Sequence, residues 1–314
     1  MLKLIILKLL GGLGNQMFIY AFYRSLLYSG IDCKIDVSWF EHFKMHNGYE
    51  LNRIFNLNLN IAGKKEIRKY ADINVGLMYR IKSRILVRHT QLVFGGHKAI
   101  TYYEEVYGMD NVYLDGFWQS QKYFKVIEDE IRRNFIFPDK EIKKNSALND
   151  LETNIKHNIN SISLHVRRGD YLDKEIVGIK SVLRRILLGR SQSPKLGEVC
   201  NSGYYTKAIE YVESKITKPF YYVFSDDIDW CKSNLCLPKG RHSFVDINKN
   251  ENSYLDMYLM SQCNHNIIAN SSFSWWGAWL NSNDDKIVIA PDRWFQDGYS
   301  GDIVPDNWVK VSTT

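Results

Sequence analysis

An α/β fold with parallel sheets, divided between two domains, is the architecture this chain predicts. Three observations lead there. Short apolar, β-rich runs alternate with helical patterns along the chain, the mark of strand–helix–strand units. A glycine-rich turn, Gly11-Gly12-Leu13-Gly14, follows the first apolar run and leads into a helix. At 314 residues, 45% hydrophobic and 24% charged, the chain can bury a substantial core and is long enough for two domains.

The elements follow in order. Leu2 to Leu10 reads as a buried strand, Asn15 to Ser29 as a helix and Cys33 to Val37 as the next strand. Later strands are expected at Ser161 to Val166, Phe220 to Phe224, Asn266 to Ala269 and Lys286 to Ala290, with helices near Tyr204 to Lys215, Ser253 to Cys263 and Ser274 to Leu280. The polar stretch Lys140 to Asn160 is the linker candidate. It sets the domains at 1–155 and 156–314, with the last helix or tail packing back on the first domain.

Five cysteines are scattered without a CxxC pair, which argues for reduced thiols in a cytosolic protein and against a disulfide framework or a zinc site. The apolar start Leu4 to Leu10 is too short to span a membrane and runs into the glycine turn, so neither a signal peptide nor a spanning helix is read there. Between Lys64 and Lys98, nine Lys or Arg residues face two acids, although the whole chain carries only +6. Leu77, Met78, Ile81 and Ile85 recur there at near-helical spacing, and Ile179, Val182, Leu183, Ile186 and Leu187 repeat the pattern further on. Two readings stand for these basic segments, 64–98 and 179–190: core-packed helices with a solvated charged face, or peripheral attachment to the inner face of an anionic membrane. Neither resembles a nucleic-acid-binding motif.

The most specific run is Leu164-His165-Val166-Arg167-Arg168-Gly169-Asp170. Arginines directly behind a strand face the ligand crevice of an open α/β sheet, and a guanidinium matches phosphate oxygens in a bidentate fork. Arg167 is the principal candidate for a diphosphate contact, with Arg168 holding the loop or the second phosphate. Ser271, Ser272, Phe273 and Ser274 open a helix, where serine hydroxyls and exposed amides can bind phosphate and also cap. Trp275, Trp276 and Trp279 read as packing. In the first domain Gly12 and Gly14 allow close backbone approach, and Asn15 and Gln16 offer amides to sugar or diphosphate. Asp227-Ile228-Asp229 is a formal DxD pattern of the kind that holds a hard divalent ion, although an arginine clamp makes a metal redundant.

Together, these runs resemble the inverting α-1,2-fucosyltransferases of glycosyltransferase family 11, including the HxRRxD-type arginine motif of the wider fucosyltransferase group. The resemblance also covers Phe117-Trp118-Gln119-Ser120-Gln121-Lys122-Tyr123-Phe124 and Phe224-Ser225-Asp226-Asp227 followed by Trp230-Cys231. It implies a GT-B-like architecture, two Rossmann-like domains facing across a cleft, with acceptor binding in the first and GDP-fucose in the second. Asp226 or Asp227 would accept from the guanine edge, and His165 would lie on the guanosine side or position the loop, its plain alternative being a hydrogen-bonded core histidine. Trp118, Gln119, Ser120 and Tyr123 would touch the acceptor. Asp170 is the candidate base for the acceptor hydroxyl, or else the structural partner of the arginines. No cofactor and no metal are expected. The implied partners are GDP-fucose and a β-galactoside-terminated glycan, free or lipid-linked. The departures at Ile19 and Trp118 bear on acceptor choice more than on donor use, and the long stretch Asp173 to Val199 reads as a lid or a surface-docking insertion.

Overall fold

The computed structural model describes residues 4–42, 47–71, 91–169, 195–197 and 199–314. Asp170, residues 77–85 and the segment 179–190 therefore lie outside the described residues. The chain forms two compact units, one of residues 1–140 with 301–305, the other of residues 141–300 with 306–314.

The first unit contains β1 (Leu4–Lys8), α1 (Leu13–Tyr28), β2 (Asp32–Asp36), β3 (Gln91–Phe94) and β4 (Val112–Gly116). Its four strands are parallel in the order β2-β1-β4-β3. Ile5, Ile6 and Leu7 have no exposed surface, as expected of a strand covered on both faces. The α1 helix buries most of its circumference, and Phe22 packs on Trp118 and Tyr123 with ring centroids 4.5 and 4.7 Å away. The chain leads from β1 out to β2 on one side, and β4 then takes the other side. The strand order thus reverses between β1 and β4.

The second unit contains α2 (Ser146–His157), β5 (Ser161–Val166), α3 (Ser202–Lys215), β6 (Phe220–Ser225), α4 (Ile228–Asn234), β7 (His242–Val245), α5 (Tyr254–Gln262), β8 (His265–Ile267), α6 (Ser272–Leu280), β9 (Val288–Pro291) and β10 (Val309–Val311). Its six parallel strands are ordered β10-β9-β8-β5-β6-β7, so that the order reverses between β5 and β8. This is the doubly wound arrangement, in which ligands bind beyond the carboxyl ends of the strands at the reversal.

The expected linker at Lys140 to Asn160 is not one. Asn145 caps α2 by accepting from the Leu148 amide, and Leu148 and Ile155, two turns apart, are fully buried. The boundary between the units falls at 140/141, ahead of this helix, and the returning segment is the short stretch 301–305, after which the chain goes back to the second sheet as β10.

Candidate active site

The loop leaving β5 is built around the carboxylate that follows β6. Asp226 accepts from the Arg167 guanidinium at 3.0 Å, from the Arg168 amide at 2.9 Å and from the Gly169 amide at 3.0 Å. A β-carbon at Gly169 would sit 2.8 Å from Asp226 Oδ2, so the loop can close on this acid only because residue 169 has no side chain. Arg168 is held differently: its Nε donates to Asp227 at 3.3 Å, and its guanidinium lies 4.1 Å from the centre of the Trp230 ring. Asp227 also caps α4, accepting from the Trp230 amide at 3.0 Å. Arg168 thus braces the loop. The Arg167 side chain is 29% exposed and its guanidinium pairs with Asp226.

The two acids consequently serve the arginines. Both Asp226 oxygens are engaged by loop 167–169, and Asp227 divides itself between Arg168 and its own helix. In the DxD pattern, the Asp229 side chain is 96% exposed and pairs with Lys232, so a cation at Asp227 would have to compete with Arg168. Among the described residues, no group of three His, Cys, Asp or Glu side chains is placed to hold a metal ion.

Across the strand reversal, the run after β8 supplies the second wall. Ser271 caps α6 by accepting from the Phe273 amide at 3.3 Å, and Ser274, 1% exposed, donates to the Ser271 carbonyl. These two hydroxyls are spent inside the turn, while Ser272 and Phe273 retain exposed surface. Asn270 donates to the Leu196 and Trp294 carbonyls at 2.8 and 3.0 Å, which fixes the approach to the helix. Trp275 and Trp276 are completely buried and Trp279 nearly so, the packing role expected of them. His165 joins the two walls: its ring lies 6.0 Å from that of Phe273. The side chain is buried and its Nδ1 has no hydrogen-bond partner. Burial pushes its pKa well down, the nearby Asp226 opposes and Arg167 reinforces this, and the imidazole is neutral.

In the first unit, the glycine that requires its freedom is Gly11, at φ +81°, rather than Gly12 or Gly14. Gly12 is extended and caps α1, and Gly14 lies within the helix. Gln16 is fully buried and staples the turn: it donates to the Gly11 and Gly48 carbonyls at 2.9 and 2.8 Å and accepts from the Glu50 amide at 2.9 Å. Its amide is therefore used by the protein, not offered to a ligand. Asn15, half-buried, accepts from Gln119 at 2.7 Å, tying the turn to the segment after β4.

Of the residues expected to meet an acceptor, Trp118, Ser120 and Tyr123 are at most 2% exposed and belong to the core. Trp118 packs on Phe22 and Phe94, Ser120 caps the turn at Lys122, and Tyr123 bonds the backbone of Thr101 and Tyr103. Large aromatics behind a strand satisfy packing as readily as sugar stacking, and the pattern does not distinguish the two. Gln119 alone of the four reaches the turn.

One cluster carries no sequence signal. Beyond β7, Asn248 donates to Asp256 at 2.7 Å, while Asn248 Oδ1 is buried without a partner. Burial, reinforced by Asp246 and opposed by the Asn248 bond, pushes the Asp256 carboxyl up to about 7. An aspartate in the first turn of a helix reads as an ordinary dipole partner, so only the tertiary setting reveals it.

Comparison with known proteins gives the family. The chain matches the model of glycosyl transferase family 11 over residues 101–312. An alpha-1,2-colitosyltransferase of Escherichia coli is 30% identical over 99% of both chains. The O-antigen biosynthesis glycosyltransferase WbnK of the same organism is 30% identical over 96% of this chain and 98% of its own. The human galactoside alpha-(1,2)-fucosyltransferase 1 is 28% identical over 56% of this chain and 45% of its own. Among solved structures, NodZ alpha-1,6-fucosyltransferase soaked with GDP-fucose is similar over 88% of this chain and 92% of its own, at 14% identity and a TM-score of 0.46. The family match spans the arginine loop, the acid pair and the serine run described above, and the chain belongs to glycosyl transferase family 11.

Proposed function

We propose that this glycosyltransferase moves L-fucose from GDP-fucose to the 2-hydroxyl of a terminal β-galactoside in a surface glycan, inverting the donor's β-linkage to an α-linkage without a metal ion. The observation that carries this reading is the partly exposed Arg167 guanidinium, paired with Asp226 just beyond β5 at the strand reversal of the second sheet. As the bond to the sugar breaks, negative charge grows on the diphosphate. A preorganised guanidinium stabilises that charge at no cost of reorganisation. Arg168, braced by Asp227 and Trp230, keeps the loop in place, and the partly exposed start of α6 at Ser272 is a second group for the same anion. Asn248 and Asp256 offer acceptors to the donor groups of the guanine edge better than Asp226, whose oxygens are already engaged. Within the first unit, Asn15 and Gln119 are the polar pair proposed to bind sugar. Asp170 takes the proton of the acceptor hydroxyl, or the departing diphosphate does so itself.

A second reading concerns the donor. The colitosyltransferase relative aligns over 99% of the chain, so a GDP-linked 3,6-dideoxyhexose is the competing substrate. The deciding experiment incubates purified protein with GDP-fucose or GDP-colitose and a panel of lactose and lacto-N-biose acceptors, with and without EDTA, and assigns linkage by NMR. The expected result is an α-1,2-fucosylated product that persists in EDTA. Transfer from GDP-colitose alone changes the donor, and loss of product in EDTA changes the mechanism.

A further inference from the structure

Two adjacent tyrosines stand behind the crevice of the second sheet, one for each of the strands that part there. The paired register of β5 and β8 runs from Ile162 opposite His265 to Leu164 opposite Ile267. The pairing of the two strands ends there. At the end of β5, the His165 carbonyl accepts from the Tyr205 hydroxyl at 3.0 Å. On the other side, the Ile268 carbonyl accepts from the Tyr204 hydroxyl at 2.6 Å.

The Ile268 carbonyl needs this donor for a reason legible in the strand register. The Ile268 amide donates to the Ile289 carbonyl, and Ile267 lies opposite Ile289. In a parallel ladder the return bond to Ile268 would come from the amide of residue 291. That residue is Pro291, which has no N–H. The Tyr204 hydroxyl takes the place of the missing rung. Both tyrosines are completely buried, their rings meet edge to face at 5.0 Å, and the Asn201 cap on the Tyr204 amide sets the start of α3.

We infer that Tyr204 and Tyr205 are positioning residues of the diphosphate site, which set the take-off of the Arg167 loop and of the Asn270–Ser274 wall through the carbonyls of Ile268 and His165. The His165 carbonyl lies two residues before Arg167, and the Ile268 carbonyl two residues before Asn270. Neither hydroxyl touches a reacting group, so their effect passes through backbone placement. The inference rests on the reading of this crevice as the site of the nucleotide diphosphate.

The test measures GDP affinity by calorimetry and thermal melting on Tyr204→Phe, Tyr205→Phe and a control, Tyr221→Phe. The control removes a hydroxyl bonded to Glu213 at the opposite end of the same sheet. All three variants are expected to melt lower than wild type. GDP affinity should fall about tenfold in Tyr204→Phe and Tyr205→Phe and less than about twofold in the control, since a small displacement of a positioned group is enough for such a loss. Adding Pro291→Ala to Tyr204→Phe returns the ladder N–H and should recover most of the lost affinity. Unchanged affinity in Tyr205→Phe, or no recovery on adding Pro291→Ala, overturns the inference and leaves the diphosphate site standing. Absence of GDP binding by the wild type overturns both.

Discussion

At the scale of single residues, the division of labour between the two arginines is the main chemical result. Arg168 has a ring on one side and a carboxylate at its Nε, whereas Arg167 pairs with Asp226 and is 29% exposed. Arg167→Ala should therefore reduce the transfer rate at saturating donor by about 10²–10³-fold, the usual cost of losing one preorganised donor to developing charge, with little change in melting temperature. Arg167→Lys should recover only part, because a point charge lacks the fork. Equal rates for the alanine variant and wild type would remove Arg167 from the chemistry. The arginines were legible in the sequence because their charge and placement behind a strand are local facts. The role of Asp226 was not: an acid 56 positions beyond Asp170 gives no sign of which loop it will hold.

At the scale of elements, two glycines show what the loops demand. Gly11 adopts φ +81°, and a β-carbon there would lie 2.6 Å from the Asn15 amide nitrogen. Gly11→Ala should cost about 1–2 kcal/mol from the left-handed backbone alone, read as a lowered melting temperature. Gly169→Ala works otherwise, by pushing against an Asp226 carboxylate that three donors hold in place. That variant should lose GDP affinity about tenfold or more while melting near wild type. A variant that melts far lower yet binds GDP normally would contradict the role given to this loop. The strand and helix assignments near the site followed from periodicity, and β1, β5, β6, β8 and β9 lie within a few residues of their expected places. The polar stretch before β5 misled because α2 buries only a narrow stripe, Leu148 and Ile155, and such a stripe is nearly invisible in a run of polar residues.

At the scale of the whole molecule, two buried titratable groups impose opposite pH dependences. Asp256 is raised in the folded chain to about 7, above the unfolded carboxyl, so its stabilising contribution is complete in acid and is lost as pH rises through about 7. His165 is depressed, so its contribution is complete above the unfolded imidazole value and is lost as pH falls below it. Asp256→Asn should thus melt higher than wild type at pH 8, with the gap closing toward pH 5. A gap of the same size at both values would show that Asp256 does not retain its proton. The burial of Trp118 belongs to this scale too, because it depends on the Phe22 and Phe94 rings brought together from distant segments. No described helix is long and apolar enough to cross a membrane.

The α/β class, the parallel strands near the site, the arginine loop behind β5 and the family to which the chain belongs are all legible in the amino-acid order. Each of these rests on local patterns, the period of apolar residues and the chemistry of short runs, which are readable without knowing what lies opposite. Tertiary structure decided which acid braces which arginine, that Gln16 and Trp118 serve the core, that Asn248 and Asp256 meet beyond β7, and that two tyrosines complete the carbonyls where β5 and β8 part. Those pairings are set by strand order and register, which place residues tens of positions apart within hydrogen-bonding distance and leave no periodic trace along the chain.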